Sequence, residues 1–98
     1  MLEKTTAKDF SPFLNKMFNI YFDPSSPIAL ELIEVSEQGI TSATSGRTSF
    51  SIVFRGSKVD VWPQGMYKVE HESLEEMILF LVPIGPDNLG QCYEAVFN

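Results

Sequence analysis

A chain of 98 residues has room for one domain with a single, modest hydrophobic core. Hydrophobic residues make up 44% of the chain and charged residues 20%, a balance typical of folded globular proteins and unlike that of disordered ones. The formal net charge of -6 would repel a phosphate backbone, so we expect no nucleic-acid partner.

The cysteine content and the start of the chain bear on where the protein resides. The single cysteine, Cys92, excludes an internal disulfide and lies in an apolar stretch, where a thiol more often packs than reacts. Met1–Lys8 carries charges without an apolar run behind them, and no window approaches the roughly 18 apolar residues of a membrane-spanning helix. We therefore expect a cytoplasmic protein without membrane contact, in which one domain covers residues 1–98.

The first predicted element is a short helix or helical turn within Ala7–Lys16. Phe10, Phe13 and Leu14 recur at spacings of three and four, and Thr6 is available as a cap. Because this apolar stripe is too small to be stable alone, we predict that the helix lies as a lid over one open end or face of a sheet.

The rest of the chain shows the two-residue period of strands. The pattern predicts six of them, at Met17–Phe22, Ile28–Glu37, Thr48–Arg55, Tyr67–Glu72, Met77–Val82 and Gln91–Phe97. The alternation slips by one residue at Leu32–Ile33, which predicts a β-bulge. Gln38–Gly46 is predicted to form a loop and Ser73–Glu76 a polar turn.

The fifth strand differs from the others because Met77–Val82 is apolar at every position. This pattern predicts a strand covered on both faces, by the opposite sheet and by the N-terminal helix. Six strands joined by short turns predict an all-β fold, a small six-stranded antiparallel barrel or sandwich with a short N-terminal helix.

Motifs of catalysis and metal binding are missing: the sequence has no Gly-rich phosphate loop, no paired Cys or His at metal spacing and no nucleophile elbow. His71 could act as an acid or base, but such a residue more often has a structural role. Cys92 would need a nearby base to act as a nucleophile. A cation could be held by Glu31, Glu34 and Glu37, but such a series of carboxylates more often forms the solvated face of a strand. We therefore predict that the protein is not an enzyme and that it has neither a cofactor nor a metal site.

The candidate binding residues cluster around the only tryptophan. Arg55 could clamp a carboxylate or stack on a ligand, or it could tie two loops together through backbone carbonyls. Trp62 could be a core plug or an interface anchor. A pocket at one barrel end could be lined by Arg55, Gln64, Tyr67 and His71, although small barrels are usually filled by side chains.

Several motifs resemble those of a known family. They are Phe50–Gly56 (FSIVFRG), Gln64–Tyr67 (QGMY), Leu79–Asp87 (LFLVPIGPD) and Tyr93–Asn98 (YEAVFN), within a match that spans most of the chain from Phe10 onward. The chain thereby resembles a family of short bacterial all-β domains without an assigned activity. The resemblance implies a compact bacterial β domain and supplies no catalytic residues. Similar domains are associated with gene neighbourhoods of phage-tail-collar-like proteins, which implies an assembly or accessory role.

Negative charge, many aromatic residues and the missing catalytic set favour a protein-interaction or assembly module. The partner would be another protein or a second copy of the chain, and the contact would use exposed strand edges or the Trp62 loop. The alternative is a small-ligand binding domain with a site near Arg55.

Overall fold

The computed structural model describes residues 5–41 and 48–97, with the backbone alone for residues 38–41. The described elements are α1 Ala7–Phe10, a 3-10 turn at Ser11–Phe13, β1 Met17–Asp23, β2 Ser26–Thr41, β3 Thr48–Arg55, β4 Gly65–His71, β5 Leu74–Pro86 and β6 Gln91–Phe97. The strands close into one antiparallel barrel in the order β1-β2-β3-β6-β5-β4, with β4 beside β1. The predicted all-β fold is confirmed, and it is the barrel rather than the sandwich.

Alternating side chains fill the barrel. On β1, Phe18, Ile20 and Phe22 point inward and are buried, while the residues between them are more exposed. The largest fully buried side chains are Tyr93, Phe10, Phe18, Phe50, Phe54, Ile20, Leu30, Leu32, Ile52, Leu81 and Val69. Six strands enclose only enough space for such side chains, so the interior is a packed core.

The predicted bulge lies where the alternation of apolar residues slips. Leu32 faces Phe54 and Glu34 faces Val53, so Ile33 is an extra residue in the β2–β3 ladder. The extra residue keeps Leu32 buried and Glu34 exposed, as the sequence pattern requires. The prediction of a bulge at Leu32–Ile33 is therefore confirmed.

The N-terminal helix closes one end of the barrel. Phe10 is 1% exposed, and its ring centroid lies 6.0 Å from that of Phe50 and 5.6 Å from that of Phe97. The predicted lid is therefore present. Regular helix ends at Phe10, and a 3-10 turn follows because Pro12 has no N–H to donate.

The predicted cover on both faces of the fifth strand is wrong. Leu79 and Leu81 are buried, whereas Ile78 and Phe80 are 47% and 48% exposed. A barrel has a single interior, so only one face of β5 meets the core. The helix does not cover the other face, because α1 packs against β2 and β3.

Both faces are covered on β3 instead. Its inner face carries large buried residues, and Ser49, Ser51 and Val53 on its outer face are also buried. A serine side chain is short, so the neighbouring strands β2 and β6 shield it from solvent. Burial on both faces here reflects small outer residues, which the hydrophobic pattern does not report.

Two predicted boundaries need correction. The turn at Ser73–Glu76 is wrong because β5 begins at Leu74, which packs against the core. The loop at Gln38–Gly46 is wrong in its first part because β2 continues to Thr41. The rest of that loop, residues 42–46, lies outside the described residues.

Candidate interaction surface

The predicted site residues lie at both ends of the barrel. We call one end the loop end, because the β1–β2 turn, the β3–β4 connection and the β5–β6 turn meet there; the other is the helix end. Arg55, Trp62, Gln64 and Tyr67 lie at the loop end, and His71 lies at the helix end. The five residues therefore do not form one site.

Arg55 forms ion pairs within the protein. Its Nη1 donates to Oδ2 of Asp87 at 2.9 Å and its Nη2 donates to Oε1 of Glu31 at 3.1 Å. The hydrogen bond from Arg55, together with backbone N–H groups of the turn, lowers the pKa of Asp87 to about 2. Arg55 thus ties β2 to the β5–β6 turn through two carboxylates, whereas the sequence interpretation had Arg55 tie two loops together through backbone carbonyls.

Trp62 and Tyr67 pack on the same aromatic ring. The Trp62 indole stacks on Phe22 with 5.3 Å between centroids and 3° between planes, and Tyr67 contacts Phe22 edge-on at 4.8 Å. The backbone N–H of Trp62 donates to the hydroxyl of Tyr93 at 2.9 Å, and the hydroxyl of Tyr67 donates to the carbonyl of Pro63 at 2.6 Å. Trp62 is therefore a plug of the loop end, with its backbone held by the core.

Little space is left beside this plug. The cavity lined by Trp62, Tyr93 and their neighbours has a volume of about 10 Å³, which has room for about one water molecule. Gln64 is exposed, and its side chain makes no hydrogen bond with another described residue. The small-ligand interpretation near Arg55 gains no preformed pocket from this cavity.

The residues considered for catalysis have structural contacts. The His71 ring lies 4.8 Å from that of Phe13 and 5.0 Å from that of Phe18, and its Nδ1 accepts the backbone N–H of Ser73 at 3.0 Å. Cys92 is buried, and desolvation raises the pKa of its thiol. Across the described residues, no three His, Cys, Asp or Glu side chains are grouped as metal ligands would be.

The outer faces of β4 and β5 carry exposed apolar side chains that the sequence analysis did not identify as a candidate site. Met66 is 62% exposed and lies directly opposite Phe80 in the ladder, and Ile78 lies two residues from Phe80 on the same face. We call Met66, Ile78 and Phe80 the outer patch. The sequence signal for the outer patch was the run Met77–Val82, which is apolar at every position and therefore indicates a strand covered on both faces. None of the described residues covers the outer face.

A small antiparallel barrel with a helical lid and an exposed apolar face is the class that this fold defines. A family model described as a domain of unknown function (DUF6916) matches residues 5–97, and the chain belongs to that family. The resemblance inferred from the sequence is confirmed at this level. Comparison with curated proteins and with solved structures found no match. No helix in the described part of the chain is long and apolar enough to cross a membrane.

Proposed function

We propose that this domain is a protein-interaction or assembly module and that its contact with a partner protein includes the outer patch. The observation that carries the proposal is the position of Phe80, an aromatic residue in a regular strand with 48% of its surface in water and Met66 beside it. Aromatic residues and methionine are enriched in protein interfaces relative to other surfaces.

The energetics support a partner on this face. Full burial of a large apolar side chain contributes about 1.5–3 kcal/mol, so covering three such side chains would stabilise a complex appreciably. Contiguous exposed apolar groups are the usual mark of an interaction surface on a soluble domain. The net charge of -6 supports a protein partner over a nucleic acid.

We propose a non-catalytic role for the domain. The Nδ1 atom of His71 already accepts a backbone N–H, and the thiol of Cys92 is buried with a raised pKa. These contacts favour structural roles for the imidazole and the thiol over roles as a catalytic base and a nucleophile. A single cysteine also suits a reducing compartment, and we propose the cytoplasm as the place of the contact.

The finer proposal is an accessory role in the assembly of phage-tail-like proteins, which the sequence resemblance motivates. If it is right, the domain should sediment with tail-like particles from cells that make them, and Phe80→Ser should release it. Equal sedimentation of the wild type and the variant would count against this finer role and leave the general one standing.

A photo-crosslinking amino acid tests the general proposal. We would place it in turn at Met66, at Phe80 and, as a matched control, at Val59, which is 85% exposed but lies in the β3–β4 connection. We expect a common crosslinked product from positions 66 and 80 in cells of the source organism, and none of it from position 59. A product of twice the chain mass would identify self-association.

Light scattering at several concentrations provides the second readout. Phe80→Ser should abolish any dimer seen with the wild type, and Val59→Ser should leave it unchanged. The proposal fails if positions 66 and 80 give no product or only the products that position 59 gives.

A further inference from the structure

Among the described residues, the first part of β5 has no ladder partner on β6. In the described part of the chain, the ladder between these strands runs from Val82↔Glu94 to Pro86↔Gln91. Among the described residues, Leu74 and Met77–Leu81 have ladder partners on β4 and none on β6. The opposite edge of this part of β5 therefore presents backbone N–H and C=O groups that can pair with another strand.

A groove lies between this edge and the N-terminal helix. It has a volume of about 690 Å³ and is lined among the described residues by Thr5, Asp9, Phe10, Leu74, Glu75, Glu76, Met77 and Ile78. Five consecutive β5 residues line it. A cavity that faces one side of a sheet is lined by alternate residues, so a consecutive run means that the groove follows the edge of the strand.

The groove combines an apolar floor with an acidic rim. Phe10, Leu74 and Met77 supply buried or half-buried apolar surface. Glu75 and Glu76 are exposed, and neither forms a salt bridge with another described residue. The described lining residues include no Lys or Arg, so charge complementarity favours an occupant with basic side chains.

We propose that this groove binds an extended basic peptide segment of a partner protein, which adds as a strand to the edge of β5 between Leu74 and Ile78. Main-chain hydrogen bonds to the edge give affinity, and alternate side chains of the peptide reach the apolar floor and the acidic rim. A second copy of this acidic chain would suit the rim less well. The inference rests on the proposed interaction function and names the chemistry of the partner.

The test uses the full chain and a short capped peptide of alternating lysine and valine. We would follow the backbone amides by NMR during titration, with the glutamate–valine peptide as a charge-reversed control. We expect saturable shifts and slower hydrogen exchange over Leu74–Ile78, weaker binding at high salt, and an affinity for the glutamate–valine peptide that is lower by about tenfold or more.

Matched variants locate the binding site. The double variant Glu75→Lys and Glu76→Lys should weaken the lysine–valine peptide by about tenfold or more. The double variant Glu34→Lys and Glu37→Lys makes the same change in net charge at two exposed positions of β2 and should change the affinity less than about twofold.

Three results would overturn the inference: shifts that leave Leu74–Ile78 unaffected, equal binding of the two peptides, or binding only after removal of residues 1–4, which would make the start of the chain the occupant. Phe80→Ser separates this inference from the general proposal, because Phe80 does not line the groove. If the wild-type protein does not bind the lysine–valine peptide but still crosslinks to a partner from position 80, the groove proposal alone is refuted.

Discussion

Gly90 packs against the backbone of Gly56, so closely that a Cβ atom on Gly90 would collide with the Gly56 carbonyl oxygen. The two strand ends are joined there by hydrogen bonds from Gly56 N–H to the Gln91 carbonyl at 2.8 Å and from Gln91 N–H to the Ser57 carbonyl at 3.2 Å. The loop end of the barrel therefore depends on a side chain of minimal size at position 90.

Gly90→Ala should destabilise the protein by about 3 kcal/mol, because the clash is with backbone and forces the two segments apart. Gly56→Ala is the matched control: its Cβ would meet the flexible Leu30 side chain at 3.1 Å, so we expect a loss of only about 1 kcal/mol. Urea unfolding measures both changes. Equal losses would show that close backbone approach is not the cause.

Asp87→Asn tests the ion pair with Arg55. The pKa of Asp87 falls from its ordinary 3.8 to about 2 in the folded protein, so the folded state holds the carboxylate more strongly than the unfolded state does. The stabilisation is therefore complete above about pH 4 and is lost as the pH falls towards 2. An asparagine Oδ1 can still accept the N–H groups of Leu89 and Gly90, but its amide cannot accept from Arg55.

We expect Asp87→Asn to be less stable than the wild type at pH 7 and the difference to shrink between about pH 4 and pH 2, measured by urea unfolding across this range. Asp60→Asn removes an exposed carboxylate whose side chain has no hydrogen-bond partner among the described residues, and serves as the control. A pH-independent difference for Asp87→Asn would contradict the role of the ion pair.

Trp62→Ala should destabilise the barrel by about 2 kcal/mol, since it removes the ring stacked on Phe22. Val61→Ala, at a neighbouring residue that is 62% exposed, should change stability by less than about 0.5 kcal/mol. Thermal unfolding followed by circular dichroism suits both variants, because it does not rely on tryptophan fluorescence. Similar midpoints for the two variants would argue against the plug.

Adjacent residues of β5 should respond in opposite ways. Leu81→Ala removes a fully buried side chain and should cost about 2–5 kcal/mol. Phe80→Ser changes the exposed face and should alter the stability of the isolated domain by about 0.5 kcal/mol or less, while it weakens association. A large loss of stability with Phe80→Ser would mean that the outer face is already covered within the chain.

The elements that the sequence predicted well are those whose pattern depends on neighbours along the chain. The alternation of Phe18, Ile20 and Phe22 identified β1, and the slip at Leu32–Ile33 identified the bulge. The prediction that Met77–Val82 is covered on both faces was wrong. The sequence shows that a side chain is apolar, but it does not show whether the same chain buries that side chain.

The candidate site was predictable only in part for a related reason. Arg55 and Trp62 were recognised as notable, but their partners lie far away along the chain: Glu31 and Asp87 are 24 and 32 residues from Arg55, and Tyr93 is 31 residues from Trp62. No local pattern encodes contacts of that separation.

The sequence by itself therefore determined the strand periods, the N-terminal helix and the bulge, since each of these depends on residues close together along the chain. It also determined the family, through several short motifs. Only the tertiary structure decided the strand order, the pairing of Arg55 with two carboxylates, and the exposure of Phe80 on the outer face of β5. The physical reason is barrel closure, which brings distant segments together and gives each strand one inner face, leaving whatever the outer face carries available to a partner.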